Sequence, residues 1–196
     1  MASSATAVQQ LEGSSSAQRI TWEEFQRIYL AREDEFKYEW LAGTIEKTPR
    51  DMDKSQVYIF NNLIKYLFTL QQKLKIDGIL VSELDTFFNK NHRRPDIAFL
   101  TERQIEAGRL GKNVVPKFVI EIISRNDQIN RVHQKMEDYR NAKVEIVWHI
   151  FPELKEIHVY RGRNMVIHKD NDLCSAEPVI EGFNISVNDV FGLVQQ

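Results

Sequence analysis

Two short apolar runs, each carrying one carboxylate, limit the folds that this chain can adopt. They are PDIAFL, residues 95–100, and FVIEIIS, residues 118–124. Short continuous apolar runs are typical of strands buried on both faces at the centre of a sheet. Asp96 opens the first run, and Glu121 lies inside the second. An unpaired charge at Glu121 would cost several kcal/mol, so a cation, a metal ion or a proton must match it.

The elements predicted around these runs describe a mixed sheet flanked by helices. In chain order they are a short helix with a Thr21/Glu24 capping box, a hairpin in residues 36–47, a long amphipathic helix from an Asp53/Gln56 cap to about Asp77-Gly78, three strands within residues 79–88, 95–100 and 117–124, a helix over residues 128–142, and a hairpin around Pro152-Glu153. The order of helix, three strands, helix and strand pair is typical of an α/β sandwich.

Length and composition fit one globular domain, since 42% of the 196 residues are hydrophobic and 28% are charged. Residues 1–20 lack periodic apolar positions, which predicts a disordered tail before a single domain over residues 21–196. The one cysteine, Cys174, excludes an intrachain disulfide, favours a cytoplasmic protein and is interpreted as a neutral surface thiol. No apolar run approaches the ~20 residues of a membrane span, and the start does not resemble a signal peptide.

The strand acids and one helical lysine suggest a metal site. The pleat places Glu121 on the same strand face as Val119 and Ile123. Lys135 borders the apolar stripe of the following helix, from which its amine can reach Glu121. Two carboxylates on adjacent strands and one amine can hold Mg²⁺ or Mn²⁺ and orient a water for attack on phosphate. In this interpretation Asp96 and Glu121 bind the metal, and Lys135 orients or deprotonates the water.

A third carboxylate is expected from the early hairpin. Glu39 and Glu46 are both candidates, and Glu39 is favoured because it alternates out of the aromatic face of Tyr38 and Trp40. Structural alternatives stay open at this point. A turn residue after proline, an ion-paired strand acid, and solvent-facing hairpin and helix residues would all give the same pattern.

Basic residues near the two acidic strands are candidate contacts for the phosphate backbone of DNA. They are Arg93, Arg94, Arg125 and Arg131. The first two belong to the stretch KNHRRPD, and the other two follow the strand that contains Glu121. Because the formal net charge of −2 gives no global attraction to nucleic acid, these groups would have to gather on one face. A solvated loop is the alternative for such a stretch.

In order along the chain, these motifs resemble the PD-(D/E)xK nuclease superfamily and, within it, the Uma-two (Uma2) family of endonucleases. The segments that carry the resemblance are KYEWLAGTIE, RPDIAFL, FVIEIIS, HQKMEDYRNAKVEIVWHI, EIHVYRG and EPVIEGFNISVNDVF. The resemblance implies a restriction-endonuclease-like fold in which Asp96 and Glu121 match the motif acids. Lys135 matches a lysine moved from strand to helix, because the strand motif would place it at position 123, which is Ile123 here. Glu39 lies in the stretch that resembles an early acidic motif.

The leading hypothesis is an endonuclease that uses Mg²⁺ or Mn²⁺ to hydrolyse phosphodiester bonds of DNA with an activated water. One alternative is a catalytically inactive nucleic-acid-binding or interaction protein on the same fold. Another is hydrolysis of a different phosphoester or a nucleotide. No membrane association is expected, and a homodimer is one option for its assembly.

Overall fold

The computed structural model describes residues 19–49, 54–88 and 90–193. The helices are α1 Trp22–Phe25, continued by a π-helical turn Gln26–Leu30, α2 Lys54–Gln71, α3 Glu102–Arg109, α4 Ile129–Asn141 and α5 Val187–Phe191. The strands are β1 Phe36–Leu41, β2 Thr44–Pro49, β3 Ile79–Ser82, β4 Thr86–Phe88, β5 Asn91–Arg93, β6 Ile97–Leu100, β7 Phe118–Ile122, β8 Ile146–Phe151, β9 Glu156–Arg161, β10 Asn164–Lys169, β11 Leu173–Ser175 and β12 Asn184–Ser186.

A six-stranded mixed sheet forms the centre of the fold, with the strand order β10-β9-β8-β7-β6-β3. Its pairs are antiparallel except for β7 and β8, which are parallel because α4 connects them as a crossover. A second, four-stranded sheet has the order β2-β1-β5-β4, and β11 pairs with β12. The predicted mixed α/β fold with helices flanking the sheet is confirmed.

The two faces of the central sheet pack against different helices. Phe118 and Ile120 of β7 point into a large core shared with α2 and α5. Val119 points the other way, into a smaller core where Met136 and Tyr139 of α4 pack. The alternation predicted for β7 is therefore confirmed, and it leaves Glu121 on the α4 side of the sheet.

The long helix α2 is shorter than the sequence predicts. It ends at Gln71 rather than near Gly78, and Asp53 of the predicted cap lies outside the described residues. Gly78 has a φ of +145° and approaches β6 so closely that a Cβ atom would lie 2.3 Å from the carbonyl oxygen of Leu100. The chain therefore leaves the helix early and uses Gly78 to enter β3.

Residues 79–88 were expected to form one strand, and this prediction is wrong. They form β3 and β4, which belong to different sheets. Glu83, in the break between them, has a φ of 48°. This left-handed conformation turns the chain out of the central sheet and towards the four-stranded one.

Two further expectations need correction. The tail was predicted to extend to residue 20, but the Ile20 N–H donates to the Gly43 carbonyl at 2.9 Å, and the Ile20 carbonyl accepts from Trp40 Nε1 at 3.0 Å. Residues 1–18 lie outside the described residues. Cys174 is fully buried in β11 rather than at the surface, and burial raises the pKa of its thiol to about 12.

Within the part of the chain that the structure describes, none of the helices combines the length and apolar character needed to cross a membrane.

Candidate active site

A cleft of about 680 Å³ lies where the β1–β2 hairpin meets the central sheet and α4. Its lining brings together all four residues that the sequence singles out as catalytic and the other candidate third acid, Glu46. These residues are Glu39, Glu46, Asp96, Glu121 and Lys135. Segments separated by up to about a hundred residues in sequence therefore converge on one concave surface.

Asp96 and Glu121 come together because β6 and β7 are antiparallel neighbours. Ile97 pairs with Ile120, and this register, continued by one residue, sets Asp96 opposite Glu121. Asp96 Oδ2 accepts the backbone N–H of Ile122 at 2.8 Å, which fixes the carboxylate against β7. The pleat directs both acids towards α4 rather than into the large core.

Lys135 of α4 contacts two of the acids. Its Nζ donates to Glu121 Oε2 at 3.0 Å and lies 3.5 Å from Glu39 Oε1. One helical turn later, the Tyr139 hydroxyl donates to the other oxygen of Glu121. The reach of Lys135 to Glu121 was expected from the helical stripe, and the geometry shows it directly.

Lys37 is a second cation in the cleft, and the sequence reasoning missed it. Its Nζ donates to Asp96 Oδ1 at 3.0 Å, and the residue is buried. A signal was present in the sequence, since Lys37 lies two residues before Glu39 in β1. The alternation that predicts Glu39 at the site therefore predicts Lys37 on the same strand face.

Glu39 is held at the site by groups on several elements. Its Oε1 accepts the backbone N–H of Arg94 at 2.7 Å, and its Oε2 accepts from Arg93 Nη1 at 3.0 Å. Glu46, the other candidate third acid, lies beside Glu39, because Arg93 Nη1 also donates to Glu46 at 2.9 Å. Of these two acids, Glu39 is the one that contacts Lys135.

Arg93 needs correction as a candidate DNA contact. Its side chain is 0% exposed, and besides the two hairpin acids its Nε donates to Asp138 of α4 at 2.7 Å. A phosphate cannot reach a guanidinium group that is enclosed in this way. Arg93 instead fastens the hairpin to α4, and no local sequence signal predicts this because the partners are brought together only by the fold.

The other three arginines differ in their availability to a phosphate. Arg94 is mostly covered, and its Nε lies 3.0 Å from Asp85. Arg125 and Arg131 line the cleft and have side chains that are 80% and 48% exposed, paired with Glu153 and Glu46 respectively. These two remain the better placed of the predicted backbone contacts.

The charges in the cleft shift the pKa values of its acids in different directions. Burial alone would raise the pKa of Glu39, but Lys135, Lys37 and Arg93 hold it down at about 2. The pKa of Asp96 is likewise lowered by Lys37 and Lys135 against the effect of burial. Burial raises the pKa of Glu121, with Asp96 adding to the rise and Lys135 opposing it. Two adjacent acids with opposed shifts are typical of functional sites.

His149 is another cleft residue that the sequence analysis does not single out. It lies opposite Glu121 on β8, and burial and the neighbouring His158 and Lys135 lower its pKa to about 3. Among the described residues its Nε2 has no hydrogen-bond partner. The imidazole is therefore neutral near pH 7 and available to accept or donate one hydrogen bond.

The sequence matches the family model of Uma2, described as "Putative restriction endonuclease", over residues 22–188. The chain belongs to the Uma2 family. The matched segment includes every residue that has been placed in the cleft above. No match was found among curated proteins.

The fold is shared with a solved structure, described as a "putative nuclease belonging to DUF820" from Anabaena variabilis ATCC 29413. The TM-score is 0.74, and the match covers 89% of this chain and 98% of the other at 20% sequence identity. At this identity the similarity shows that the Uma2 chain and the solved structure share a fold.

The donor groups of this Uma2 site suit a magnesium-like ion. Carboxylate oxygens are its preferred protein ligands, and one or two acids suffice when waters and substrate phosphates complete the coordination. Asp96 and Glu121 are two such acids on one wall of the cleft. Among the described residues no group of three or more His, Cys, Asp or Glu is arranged to hold a metal ion. An ion held by these two acids would take its remaining ligands from water and substrate.

Proposed function

We propose that this protein is an endonuclease that hydrolyses phosphodiester bonds of DNA with Mg²⁺ or Mn²⁺ and an activated water. The observation that carries the proposal is the meeting of Asp96, Glu121 and Lys135 in one cleft, with Lys135 Nζ 3.0 Å from Glu121. Membership of the Uma2 family and the nuclease fold support it.

Each cleft residue has a role in this proposal. Asp96 and Glu121 would hold the ion, which when bound supplies positive charge that activates water and neutralises phosphate. Burial alone would lower the pKa of Lys135, but Glu121, Glu39 and Asp96 raise it and keep the side chain as an ammonium group. Lys135 would orient the attacking water and stabilise negative charge that develops on the phosphoryl oxygens. Glu39 would help to hold Lys135 at this position, since its Oε1 lies 3.5 Å from the lysine Nζ. Arg125 and Arg131 would guide the DNA backbone to the cleft.

A non-catalytic nucleic-acid-binding protein is the second candidate, and one observation favours it. All four carboxylate oxygens of Asp96 and Glu121 already have hydrogen-bond donors within the protein. A site whose acids are satisfied in this way can persist as a structural cluster without metal. Metal binding therefore separates the two candidates.

The test is a calorimetric titration of the full chain with Mn²⁺ and Mg²⁺. We expect binding by the wild type, and Asp96→Asn and Glu121→Gln to weaken it at least ~10-fold, because an amide keeps the size but loses the ligand charge. At an ion concentration ten times Kd, binding adds about 1.4 kcal/mol of stability, which corresponds to a rise in Tm of about 3–6 °C.

Glu145→Gln is the matched control, since Glu145 is an exposed acid that pairs with Lys117 outside the cleft. It should bind the ions as the wild type does. Equal binding by the wild type and both cleft variants would place any metal site elsewhere, and no binding at all would favour the non-catalytic candidate.

A further inference from the structure

Lys37 is a feature of the site that the proposed roles do not use. Its Nζ donates to Asp96 Oδ1 at 3.0 Å, and its side chain is only 10% exposed. It belongs to β1, whereas Lys135 belongs to α4. The cleft therefore contains two lysine side chains where the proposed chemistry requires one.

The oxygen that Lys37 contacts is the one a divalent ion would compete for. Asp96 Oδ2 is engaged by the backbone N–H of Ile122, which is fixed in β7. Asp96 Oδ1 is engaged by a flexible side chain that can move. Because repulsion between like charges rises steeply at contact distance in a partly buried site, an ammonium group and a divalent ion cannot both remain at Oδ1 without a large cost.

Lys37 is the more easily displaced of the two lysines. Lys135 lies within ion-pair distance of both Glu39 and Glu121, at 3.5 and 3.0 Å. Among the described residues, Lys37 has Asp96 as its one carboxylate partner within this distance. Its long methylene stem also allows the ammonium group to turn within the cleft while the backbone of β1 stays paired.

We propose that the ammonium group of Lys37 occupies the position of the divalent ion at Asp96 when no ion is bound. When the ion binds, the Lys37 side chain moves away and its ammonium group contacts a phosphate oxygen of the DNA. The inference rests on the proposed function, which supplies both the ion and the phosphate. Lys37 thus stabilises the acid in the absence of metal and contributes a positive charge to the phosphate after displacement. The first role opposes metal binding, and the second favours cleavage.

The two roles predict that one substitution at Lys37 raises the affinity for the metal ion and lowers the rate of cleavage. Lys37→Met should bind Mn²⁺ at least ~10-fold more tightly than the wild type, because the ion no longer has to displace a cation. At saturating Mn²⁺ the same variant should cleave mixed-sequence double-stranded DNA at least ~10-fold more slowly. Calorimetry with Mn²⁺ alone gives the first value, and single-turnover cleavage gives the second.

Two further variants make the result decisive. Lys37→Gln removes the charge but keeps an N–H donor for Asp96, so it should repeat both effects and decides the matter if Lys37→Met does not fold. Lys169→Met is the matched control, because Lys169 is a strand lysine that pairs with Glu156 outside the cleft at 2.6 Å. It should leave Mn²⁺ affinity and cleavage unchanged.

A purely structural ion pair predicts a different pattern, with a lower Tm and Mn²⁺ binding that is unchanged or weaker. If the Lys37 variants show that pattern while the wild type binds Mn²⁺ through Asp96 and cleaves DNA, this inference is overturned and the proposed function stands. Tighter binding with normal cleavage would also overturn it, since the phosphate contact would be absent. A wild type that neither binds Mn²⁺ nor cleaves would overturn the proposed function and the inference together.

Discussion

Arg93 forms ion pairs with three acidic side chains beside the cleft. One guanidinium group, fully enclosed, donates to Glu39 and Glu46 of the hairpin and to Asp138 of α4. Asp138 is held in turn by the Asn91 side chain at 2.8 Å. Because Glu39 also contacts Lys135, the position of the lysine proposed to act on water depends on an arginine that substrate does not touch.

Removal of Arg93 should therefore destabilise the protein strongly. Among the described residues, Arg93→Met removes the one cation within ion-pair distance of Asp138 and leaves Glu39 with Lys135 and Glu46 with Arg131. Breaking a buried ion pair in this way costs about 3–5 kcal/mol. Urea unfolding measures the loss. Arg109→Met is the control, since its ion pair with Glu106 is exposed and screened, and it should have little effect. If both variants unfold at the same urea concentration, the buried network does not carry the stability assigned to it.

At the scale of secondary structure, the elements with strong periodicity could be predicted and the ones defined by distant partners could not. The apolar stripe and flanking polar residues of α4 predict its extent closely, and β7 alternates as expected. Strands β4 and β5 have three residues each, and they exist because β5 pairs with β1. Strand β10 is exposed on both faces, so no alternation marks it.

The same distinction holds for the site. Asp96, Glu121 and Lys135 could be found because each interrupts or borders an apolar pattern in its own segment. The burial of Arg93 could not be predicted, because it depends on how the four-stranded sheet packs against α4. The position of Lys37 could be predicted from the alternation in β1, because Lys37 lies two residues before Glu39.

The first described residues of the chain give a prediction at this scale. Ile20 makes two hydrogen bonds to the β1–β2 hairpin region, through Gly43 and Trp40. Deletion of residues 1–18 should leave Tm unchanged, whereas deletion of residues 1–20 should lower it by a few degrees, since each lost bond contributes about 1 kcal/mol. Thermal unfolding of the two truncated proteins provides the comparison. Identical values would show that Ile20 does not contribute to stability.

At the scale of the whole molecule, the cleft lies where two sheets and one helix meet. Glu39 and Lys37 come from the four-stranded sheet, Glu121 from the central sheet, Asp96 from the position directly before β6 of that sheet, and Lys135 from α4. Each part of the fold thus contributes at least one charged group to a concave surface, as is common for ligand sites. The family match extends over all of these parts, from residue 22 to residue 188.

The central claim is that Lys135, acting from the helix, replaces the lysine that the strand motif would place at Ile123. The most direct measurement is single-turnover cleavage of mixed-sequence DNA with Mn²⁺ by the wild type, Lys135→Met and Asp96→Asn. Lys65→Met is the control, since Lys65 is an exposed lysine on α2. We predict that Lys135→Met folds, still binds Mn²⁺ and cleaves at least ~100-fold more slowly, while Lys65→Met cleaves normally. Unchanged cleavage by Lys135→Met, with Asp96→Asn inactive, would contradict the claim.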